Sequence, residues 1–322
     1  MSKLNWAILG PGTIAKDFAK AIEEVNGMVY AIGSRSLEKA QKFASEYKVD
    51  KIYGNYDEML NDEMIDVVYI STPHCNHYEY IMKSLENDKH VFCEKAITVN
   101  GTQLNEIAEL ANKKNLVVAE AMTIYHMPLY KRLREIIESK KLGKVKMVQV
   151  SFGSLKEYDV NNRFFSPDLA GGALLDIGIY ALSFTRFFLS SQPDEVLTTV
   201  KKFETGVDEQ SGIILKNSND EMAVVSLTMR AKQPKKGVVA GELGYITVEN
   251  FPRADKATIT YPDGKVETIE AGDTSKALIY EVEDMNNCIL NKKKCDTLDL
   301  SIDVMKIMDE VRNQWGLKYS FE

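Results

Sequence analysis

The sequence predicts two domains: an α/β N-terminal domain built on a doubly wound parallel sheet, and an α+β C-terminal domain with a large open, mostly antiparallel sheet. Three observations support this prediction. Strand-like and helix-like segments alternate at first, strand-like segments later follow one another through short turns, and a glycine-rich turn joins the first strand to the first helix. We place the domains at residues 1–122 and 123–322.

The N-terminal strands are nearly continuous apolar runs, as in 66–71 and 116–120. Parallel strands that are covered on both faces have this composition. Their alternation with helices implies right-handed crossovers. The predicted strands are 4–9, 28–33, 51–53, 66–71, 89–93 and 116–120, and the predicted helices are 13–25, 37–47, 56–61, 77–87 and 101–114.

The C-terminal part begins with an amphipathic helix, 127–141, which ends at a glycine after a lysine-rich turn. Helices are also predicted over 168–189, 276–291 and 299–314. We expect these helices to cover one face of the sheet, which leaves the other face available for self-association. The predicted strands are 145–153, 195–203, 210–217, 221–231, 236–240, 245–249, 257–261 and 265–270.

Composition excludes several classes of function. The 322 residues are 44% hydrophobic and carry a net charge of −7, which argues against nucleic acid or an anionic membrane as a partner. No apolar run approaches the roughly 20 residues of a membrane helix, and no secretory signal is apparent. The cysteines have no metal-ligand spacing, so we expect reduced thiols, no metal site and a cytoplasmic location. They are Cys75, Cys93, Cys288 and Cys295.

The glycine-rich turn is typical of a dinucleotide site. Gly10 permits the tight turn, Gly12 lets the backbone approach a pyrophosphate, and the small Ala15 lets helix and strand pack closely. The helix N-terminus, with the N–H groups of Thr13 and Ile14, would face the phosphates. The alternative is an ordinary strand–helix turn.

The end of the second strand indicates which dinucleotide binds. A carboxylate there usually accepts a hydrogen bond from the ribose of NAD, but here no carboxylate occurs before Glu38. Arg35 can instead bind a 2′-phosphate, with Ser34 and Ser36 as hydroxyl donors. We therefore expect NADP(H) rather than NAD(H). In the alternative interpretation Arg35 is a solvated surface residue and Ser36 only caps helix 37–47.

Polar residues follow the fourth predicted strand, at the edge where ligands of open parallel sheets bind. Thr72 and Pro73 come first, and we assign both to the cofactor site. Asn76 and His77 follow at the start of the next helix, where each either caps that helix or reaches the cofactor. The two roles have equal weight at this point.

Glu94 and Lys95 follow the fifth predicted strand at the same edge. The Lys95 ammonium can hydrogen-bond a substrate oxygen or shift the pKa of a neighbour. We assign both residues to the cofactor site and Lys95 also to catalysis. The alternative is a solvated lysine that pairs with Glu94.

A second candidate cluster lies in the C-terminal domain. Asp176 and Tyr180 are four residues apart and share one face of a helix, which begins after Gly171-Gly172. A phenol can donate a proton to a carbonyl, but its unperturbed pKa near 10 is about three units from neutrality. A nearby ammonium lowers that pKa by about 1–3 units. The alternative is a tyrosine that fills the core.

With these motifs taken together, the chain resembles the Gfo/Idh/MocA oxidoreductase family over essentially its whole length. The motifs are the Gly10-Pro11-Gly12 turn, Glu94-Lys95, and the segment from Asp176 to Tyr180. The segment around Arg163 is most similar to the branch of dimeric dihydrodiol dehydrogenase and glucose–fructose oxidoreductase.

The resemblance implies a Rossmann fold for the N-terminal domain and a homodimer formed through the C-terminal sheet. Tyr180 would be the general acid/base, Lys95 would contact substrate and cofactor, and Asp176 would orient the substrate or the catalytic pair. Arg163 and Tyr280 would lie near the cofactor. The family's proline after the lysine is Ala96 here, which leaves open whether this turn is cis or trans.

A further departure from the branch is at 123–126, where a Trp and an Arg are usual; we expect Tyr125 and His126 to line the substrate pocket. The predicted reaction is hydride transfer between nicotinamide C4 and a carbinol or carbonyl carbon of a sugar, polyol or vicinal diol. Two alternatives remain: an enzyme that processes glycosides with a tightly bound NAD, and a non-catalytic regulator that senses a dinucleotide or a sugar.

Overall fold

The computed structural model describes residues 4–160, 162–293 and 295–322. These residues form two compact units. The first comprises residues 4–98, 102–121 and most of 275–298, and the second comprises 99–101, most of 122–274, and 299–322. The helices are α1 (Thr13–Glu24), α2 (Leu37–Glu46), α3 (Tyr56–Leu60), α4 (His77–Glu86), α5 (Gly101–Lys114), α6 (Thr123–His126), α7 (Pro128–Glu138), α8 (Ile179–Phe188), α9 (Ala277–Leu290) and α10 (Thr297–Trp315).

The first unit contains a parallel sheet with the strand order β3-β2-β1-β4-β5-β6. The order reverses beside β1, so the carboxyl ends of β1 and β4 flank a crevice of the kind that binds nucleotides. Every residue of β1, β2, β4 and β6 is buried, which confirms the interpretation of the apolar runs. The strands are Trp6–Leu9, Val29–Gly33, Val49–Tyr53, Val67–Ile70, His90–Glu94 and Val118–Ala121.

An aromatic cluster packs α1 against this sheet. The Phe18 ring stacks on Tyr69, with centroids 3.7 Å apart, and meets Trp6 edge-on at 5.4 Å. Val282 and Met285 of α9 belong to the same core, and Trp6 Nε1 donates to Asn286 Oδ1 over 3.0 Å. The prediction that helix 276–291 covers the C-terminal sheet is therefore wrong: its apolar side chains are buried in the first unit.

The second unit contains an eight-stranded sheet in the order β14-β13-β12-β11-β7-β10-β9-β8. Its neighbouring strands are antiparallel except β7 and β10, which are parallel. A mostly antiparallel sheet is thus confirmed. The strands are β7 (Val145–Gly153), β8 (Pro193–Lys202), β9 (Asp208–Asn217), β10 (Met222–Thr228), β11 (Gln233–Gly241), β12 (Gly244–Glu249), β13 (Lys256–Thr260) and β14 (Val266–Glu270).

One face of this sheet is covered and the other carries exposed apolar side chains. Buried residues alternate along β9 and β10, as in Ile213 and Val225. Leu197, Ile214 and Val224 point to the opposite face and are 64%, 40% and 38% exposed. Register places these three side by side across β8, β9 and β10. No helix in the described part of the chain combines the length and apolar character needed to cross a membrane.

The predicted continuous helix over 168–189 is wrong. A short 3-10 turn at Pro167–Leu169 ends at Ala170, which has the left-handed φ of 55°. Gly172 follows with φ 116°, and the helical path resumes through one π-helical turn, Leu174–Gly178, that leads into α8. Neither backbone conformation at 170 and 172 continues a right-handed helix, so Ala170 and Gly172 interrupt the segment.

Candidate active site

The turn from β1 into α1 depends on a glycine at position 10. Gly10 has φ 101°, which disfavours side chains, and its N–H donates to Gly33 O over 3.0 Å. The Ser71 hydroxyl donates to Gly10 O over 2.7 Å, which ties the turn to β4. Gly12 has a φ of −73°, which any residue can adopt. The backbone conformation therefore does not require glycine here, and the missing side chain instead leaves space for a ligand.

The N-terminus of α1 is open to a ligand. Thr13 and Ile14 are its first residues, and no side chain caps it. Ala15 is fully buried, as expected of the small residue between helix and strand. The first-turn N–H groups and the positive end of the helix dipole are therefore available to an anion.

A cavity of about 520 Å³ lies beside this turn. It brings together seven of the residues that the sequence assigns to the cofactor: Gly10, Gly12, Ser34, Arg35, Thr72, Pro73 and Asn76. Pro11, Ser36, Lys39, Tyr56, Ser71 and Tyr80 complete the lining. The crevice at the reversal of strand order is thus a real cavity that contains the predicted turn.

The charged wall of the cavity carries two cations, Arg35 and Lys39. Within the described ranges, neither forms an ion pair with a carboxylate. Ser36 caps α2 by accepting a hydrogen bond from Lys39 N, as the alternative interpretation expected for this residue, while the phosphate role of Arg35 stays a prediction. Ser34 Oγ accepts from Ser36 N over 3.2 Å. Lys39 lies one helical turn after the cap, a spacing that sequence reasoning could have used but missed.

Two tyrosines on the wall were not predicted. The rings of Tyr56 and Tyr80 meet edge-on with centroids 4.9 Å apart. Burial raises the pKa of both phenols, and the positive charge of Arg35 opposes this shift. Aromatic faces beside a guanidinium suit a planar base. No sequence signal distinguished them from core tyrosines.

The cavity passes a test of fit for a dinucleotide. Thr72 Oγ1 is buried and has no hydrogen-bond partner among the described residues, so a bound polar group would satisfy it. The Asn76 side chain does not cap α4, which leaves it free of that role. A phosphate-bearing dinucleotide needs hydrogen-bond donors and positive charge. The N–H groups of the open helix end, the Thr72 hydroxyl and the two cations supply them, and the glycine turn gives the dinucleotide access.

His77 does not line this cavity. The ring is fully buried, with Nδ1 2.9 Å from Ala96 O and Nε2 2.7 Å from Thr72 O. Burial lowers its pKa, so the ring is neutral at pH 7 and donates to one of the two carbonyls. His77 therefore links the loop after β4 to the loop after β5.

Lys95 lies in a tightly held loop. On one side Glu94 accepts from the Tyr69 hydroxyl, and on the other Ile97 N donates to the buried Glu120 over 3.0 Å. The Lys95–Ala96 peptide bond is cis, so the alanine occupies the conformation that the family's proline often adopts. Contacts to β4, α4 and β6 thus hold the backbone on both sides of Lys95.

In the second unit, a buried carboxylate holds the start of the segment that carries Asp176 and Tyr180. Asp208 is fully buried, and its Oδ2 accepts from Leu174 N over 2.7 Å. Its Oδ1 has no hydrogen-bond partner among the described residues. Burial raises the pKa of Asp208 from 3.8 to about 6. A Cβ on Gly172 would lie 2.1 Å from Oδ1, so only glycine fits there.

Asp176 lies between two cations. Lys156 Nζ is 3.9 Å from Oδ2, and an Arg163 nitrogen is 3.7 Å from Oδ1. Both cations also lie over the Phe164 ring, at 4.1 and 4.3 Å from its centroid. Asp176 is 8% exposed, so these partners compensate a largely buried charge. Lys156 was not predicted.

Tyr180 lines a second cavity, of about 800 Å³, within this unit. Its ring lies 6.2 Å from that of Phe152 at the end of β7. The half-buried phenol therefore reaches a space large enough for a small molecule, which disfavours the core-filler interpretation.

Three other predicted residues lie elsewhere. Tyr125 and His126, in α6, are 4% and 1% exposed and do not line the 800 Å³ cavity. The Tyr125 ring stacks near Phe187 instead, at 6.2 Å. Tyr280 lies half-buried in α9 of the first unit. Among the described residues, no three His, Cys, Asp or Glu side chains gather in a metal-binding arrangement.

Comparison with known proteins agrees with this geometry. Residues 4–122 match the oxidoreductase family with an NAD-binding Rossmann fold, and residues 130–247 match the GFO/IDH/MocA C-terminal domain. The chain is 33% identical over 330 residues to trans-1,2-dihydrobenzene-1,2-diol dehydrogenase of Xenopus tropicalis, covering 98% of this chain and 99% of that protein. It is 31% identical over 366 residues to D-xylose 1-dehydrogenase (NADP(+)) of Hypocrea jecorina, covering 98% and 93%.

A solved structure agrees with the fold. The crystal structure of an NAD-binding oxidoreductase from Klebsiella pneumoniae superposes with a TM-score of 0.89 at 20% identity, covering 98% of this chain and 97% of that one. Two matching domains in order, together with relatives that align from end to end, decide the assignment. The chain belongs to the Gfo/Idh/MocA family of oxidoreductases.

Proposed function

We propose that this protein is an NADP(H)-dependent dehydrogenase or reductase that acts on a CH–OH group of a sugar, polyol or vicinal diol. The 520 Å³ cavity is the observation that carries this proposal, because it joins a glycine turn and an open helix end to two cations that form no ion pair with any described residue. The named activities of the relatives on a dihydrodiol and on xylose support the substrate class.

The preference for NADP(H) is argued from charge. Arg35 and Lys39 would bind the 2′-phosphate, and the described residues that line the cavity include no carboxylate that would repel it. Gly10, Gly12 and the N–H groups of Thr13 and Ile14 would hold the pyrophosphate. Ser34, Thr72, Pro73 and Asn76 complete the proposed binding surface, and the roles of Glu94, Lys95, Arg163 and Tyr280 beside the cofactor rest on the family resemblance.

When bound, the dinucleotide supplies a nicotinamide that accepts a hydride from carbon or returns it. Tyr180 takes the hydroxyl proton of the alcohol during oxidation and gives a proton to the carbonyl oxygen during reduction. Lys95 assists Tyr180 by stabilising the alkoxide, a role that rests on the family resemblance. Asp176, held between Lys156 and Arg163, orients the substrate hydroxyl.

We further propose a homodimer formed through the open face of the eight-stranded sheet. Leu197, Ile214 and Val224 form an exposed apolar row on three adjacent strands, where burial against a second copy is favourable. The expectation of a cytoplasmic location rests on the four cysteines, which we expect to be reduced.

Absorbance of the reduced nicotinamide during turnover tests the function. The purified protein is mixed with NADP⁺ and, separately, with sugars, inositols and vicinal diols. We expect one molecule of NADPH for each molecule of alcohol oxidised. Glycoside cleavage without net NADPH would instead indicate the glycoside-processing alternative, and nucleotide binding without turnover of any compound would indicate a regulator.

A further inference from the structure

The 800 Å³ cavity that Tyr180 lines has both apolar and charged side chains in its wall. Phe152 and Pro252 are part of its wall, together with backbone and small side chains. Five charged residues also line it: Lys235, Glu249, Arg253, Asp255 and Lys256.

Two of these five charges already have partners of opposite sign. Lys256 Nζ is 2.9 Å from Glu270, and Glu249 is 3.1 Å from Lys236 on the neighbouring strand. These pairs join neighbouring strands at the sheet end and leave little net charge for a ligand. These ion pairs therefore stabilise the sheet and are not available to bind a ligand in the cavity.

Asp255 is engaged with the backbone. Its Oδ2 accepts from Thr274 N over 3.2 Å, and the Thr274 hydroxyl donates to Arg253 O over 2.8 Å. The neighbouring Ala254 is buried. The backbone segment that carries Arg253 is thus held by two hydrogen bonds to Thr274, which also lines the cavity.

Lys235 is held by an aromatic ring. Its Nζ lies 4.9 Å from the centroid of Phe152, and the Tyr180 ring lies 6.2 Å from the same centroid. The ammonium and the proposed proton-transfer group therefore both lie near the ring of Phe152.

Lys235 and Arg253 have no anionic partner in the part of the chain that the structure describes, since no ion pair joins either to a carboxylate. Both cations are exposed and line the same cavity, so they are available to an anionic ligand. A carboxylate or a phosphate on the substrate would supply that anion, and the guanidinium matches either group with two parallel hydrogen bonds.

We propose that the substrate carries an anionic group, a carboxylate or a phosphate, that binds between Lys235 and Arg253 while its CH–OH group faces Tyr180. This inference rests on the proposed oxidoreductase function and narrows its substrate class to sugar acids or phosphorylated sugars and polyols. Neutral sugars would use the same cavity without the charged contacts.

Matched substrates test the inference. Initial rates of NADPH formation are measured for glucose, glucuronate and glucose 6-phosphate, for galactose and galacturonate, and for myo-inositol and its 1-phosphate. We expect kcat/KM to be about tenfold or more higher for at least one anionic member than for its neutral counterpart, and to fall with added salt. Preference for the carboxylate or for the phosphate member identifies which anion is used.

The double variant Lys235→Gln/Arg253→Gln links this preference to the cavity. It should raise KM for the anionic substrate about tenfold or more and leave kcat/KM for the neutral member within about twofold. The matched control is Lys232→Gln/Arg132→Gln, which removes the same two charges outside the cavity and should behave like the wild type.

Each outcome decides one question. Preference for neutral members, or an equal loss for both members in the double variant, overturns the inference and leaves the oxidoreductase function intact. If no compound is turned over, calorimetric titration of the NADPH complex with the same compounds decides. Selective binding of anionic members that the double variant loses supports the anion site between Lys235 and Arg253 and contradicts the proposed function. Absence of such binding overturns the inference.

Discussion

The Asn substitution of Asp208 should remove a pH-dependent cost of folding. Asp208 is fully buried, and burial raises its pKa from 3.8 to about 6. The native state therefore binds a proton more tightly than the unfolded state between these values. Its free energy of unfolding falls as the pH rises through this window, and the whole cost is present above pH 6.

The size of this cost follows from the shift. About two pKa units correspond to about 3 kcal/mol between pH 3.5 and pH 7. An asparagine resembles the protonated acid: its carbonyl oxygen can still accept from Leu174 N, and it does not ionise. The free energy of unfolding of Asp208→Asn, relative to the wild type, should therefore rise by about 3 kcal/mol from low pH to pH 7.

Urea unfolding at several pH values measures this difference. The control is Asp194→Asn, an exposed position on β8, whose stability curve should run parallel to that of the wild type. The reasoning is refuted if the difference between Asp208→Asn and the wild type does not change with pH, because Asp208 would then not hold a buried proton.

Three further predictions follow from the geometry. The double variant Arg35→Ser/Lys39→Ser should raise KM for NADP⁺ about a hundredfold and leave KM for NAD⁺ nearly unchanged, as steady-state kinetics would show; equal effects on both cofactors would contradict the phosphate role. Gly172→Ala should lower the free energy of unfolding by about 3 kcal/mol in urea titration, since its Cβ would meet Asp208 Oδ1, and unchanged stability would contradict that geometry. Ile214→Lys should convert a dimer into a monomer by light scattering, and an unchanged mass would argue against the sheet-face interface.

Local signals predicted much of the first unit. The turn at Gly10, the capping of α2 by Ser36 and the buried parallel strands depend on residues that are close together in the chain. A tight turn, a helix cap and a strand with both faces covered each leave a short pattern of residue types. The boundaries of the N-terminal elements agree with the structure within three residues.

Contacts between residues that are far apart in the chain could not be predicted from such local patterns. The periodicity of α9 shows that one face is apolar but not which sheet it covers, and in the structure Val282 and Met285 pack into the first unit. The interruption at Gly172 depends on Asp208, which lies 36 positions away. Lys235, Arg253 and Tyr180 line one cavity because the fold of the second unit brings distant parts of the chain together. No local sequence pattern therefore predicts that the two cations lie near Tyr180.

The substitution Tyr180→Phe tests the central claim most directly, because it removes the phenolic hydroxyl and keeps the ring that packs near Phe152. Turnover is followed by nicotinamide absorbance and NADPH affinity by its fluorescence, with Tyr261→Phe as the matched control. The account predicts that kcat falls about a thousandfold while NADPH binding stays nearly unchanged, and that the control keeps full activity. Turnover of Tyr180→Phe close to that of the wild type would contradict it.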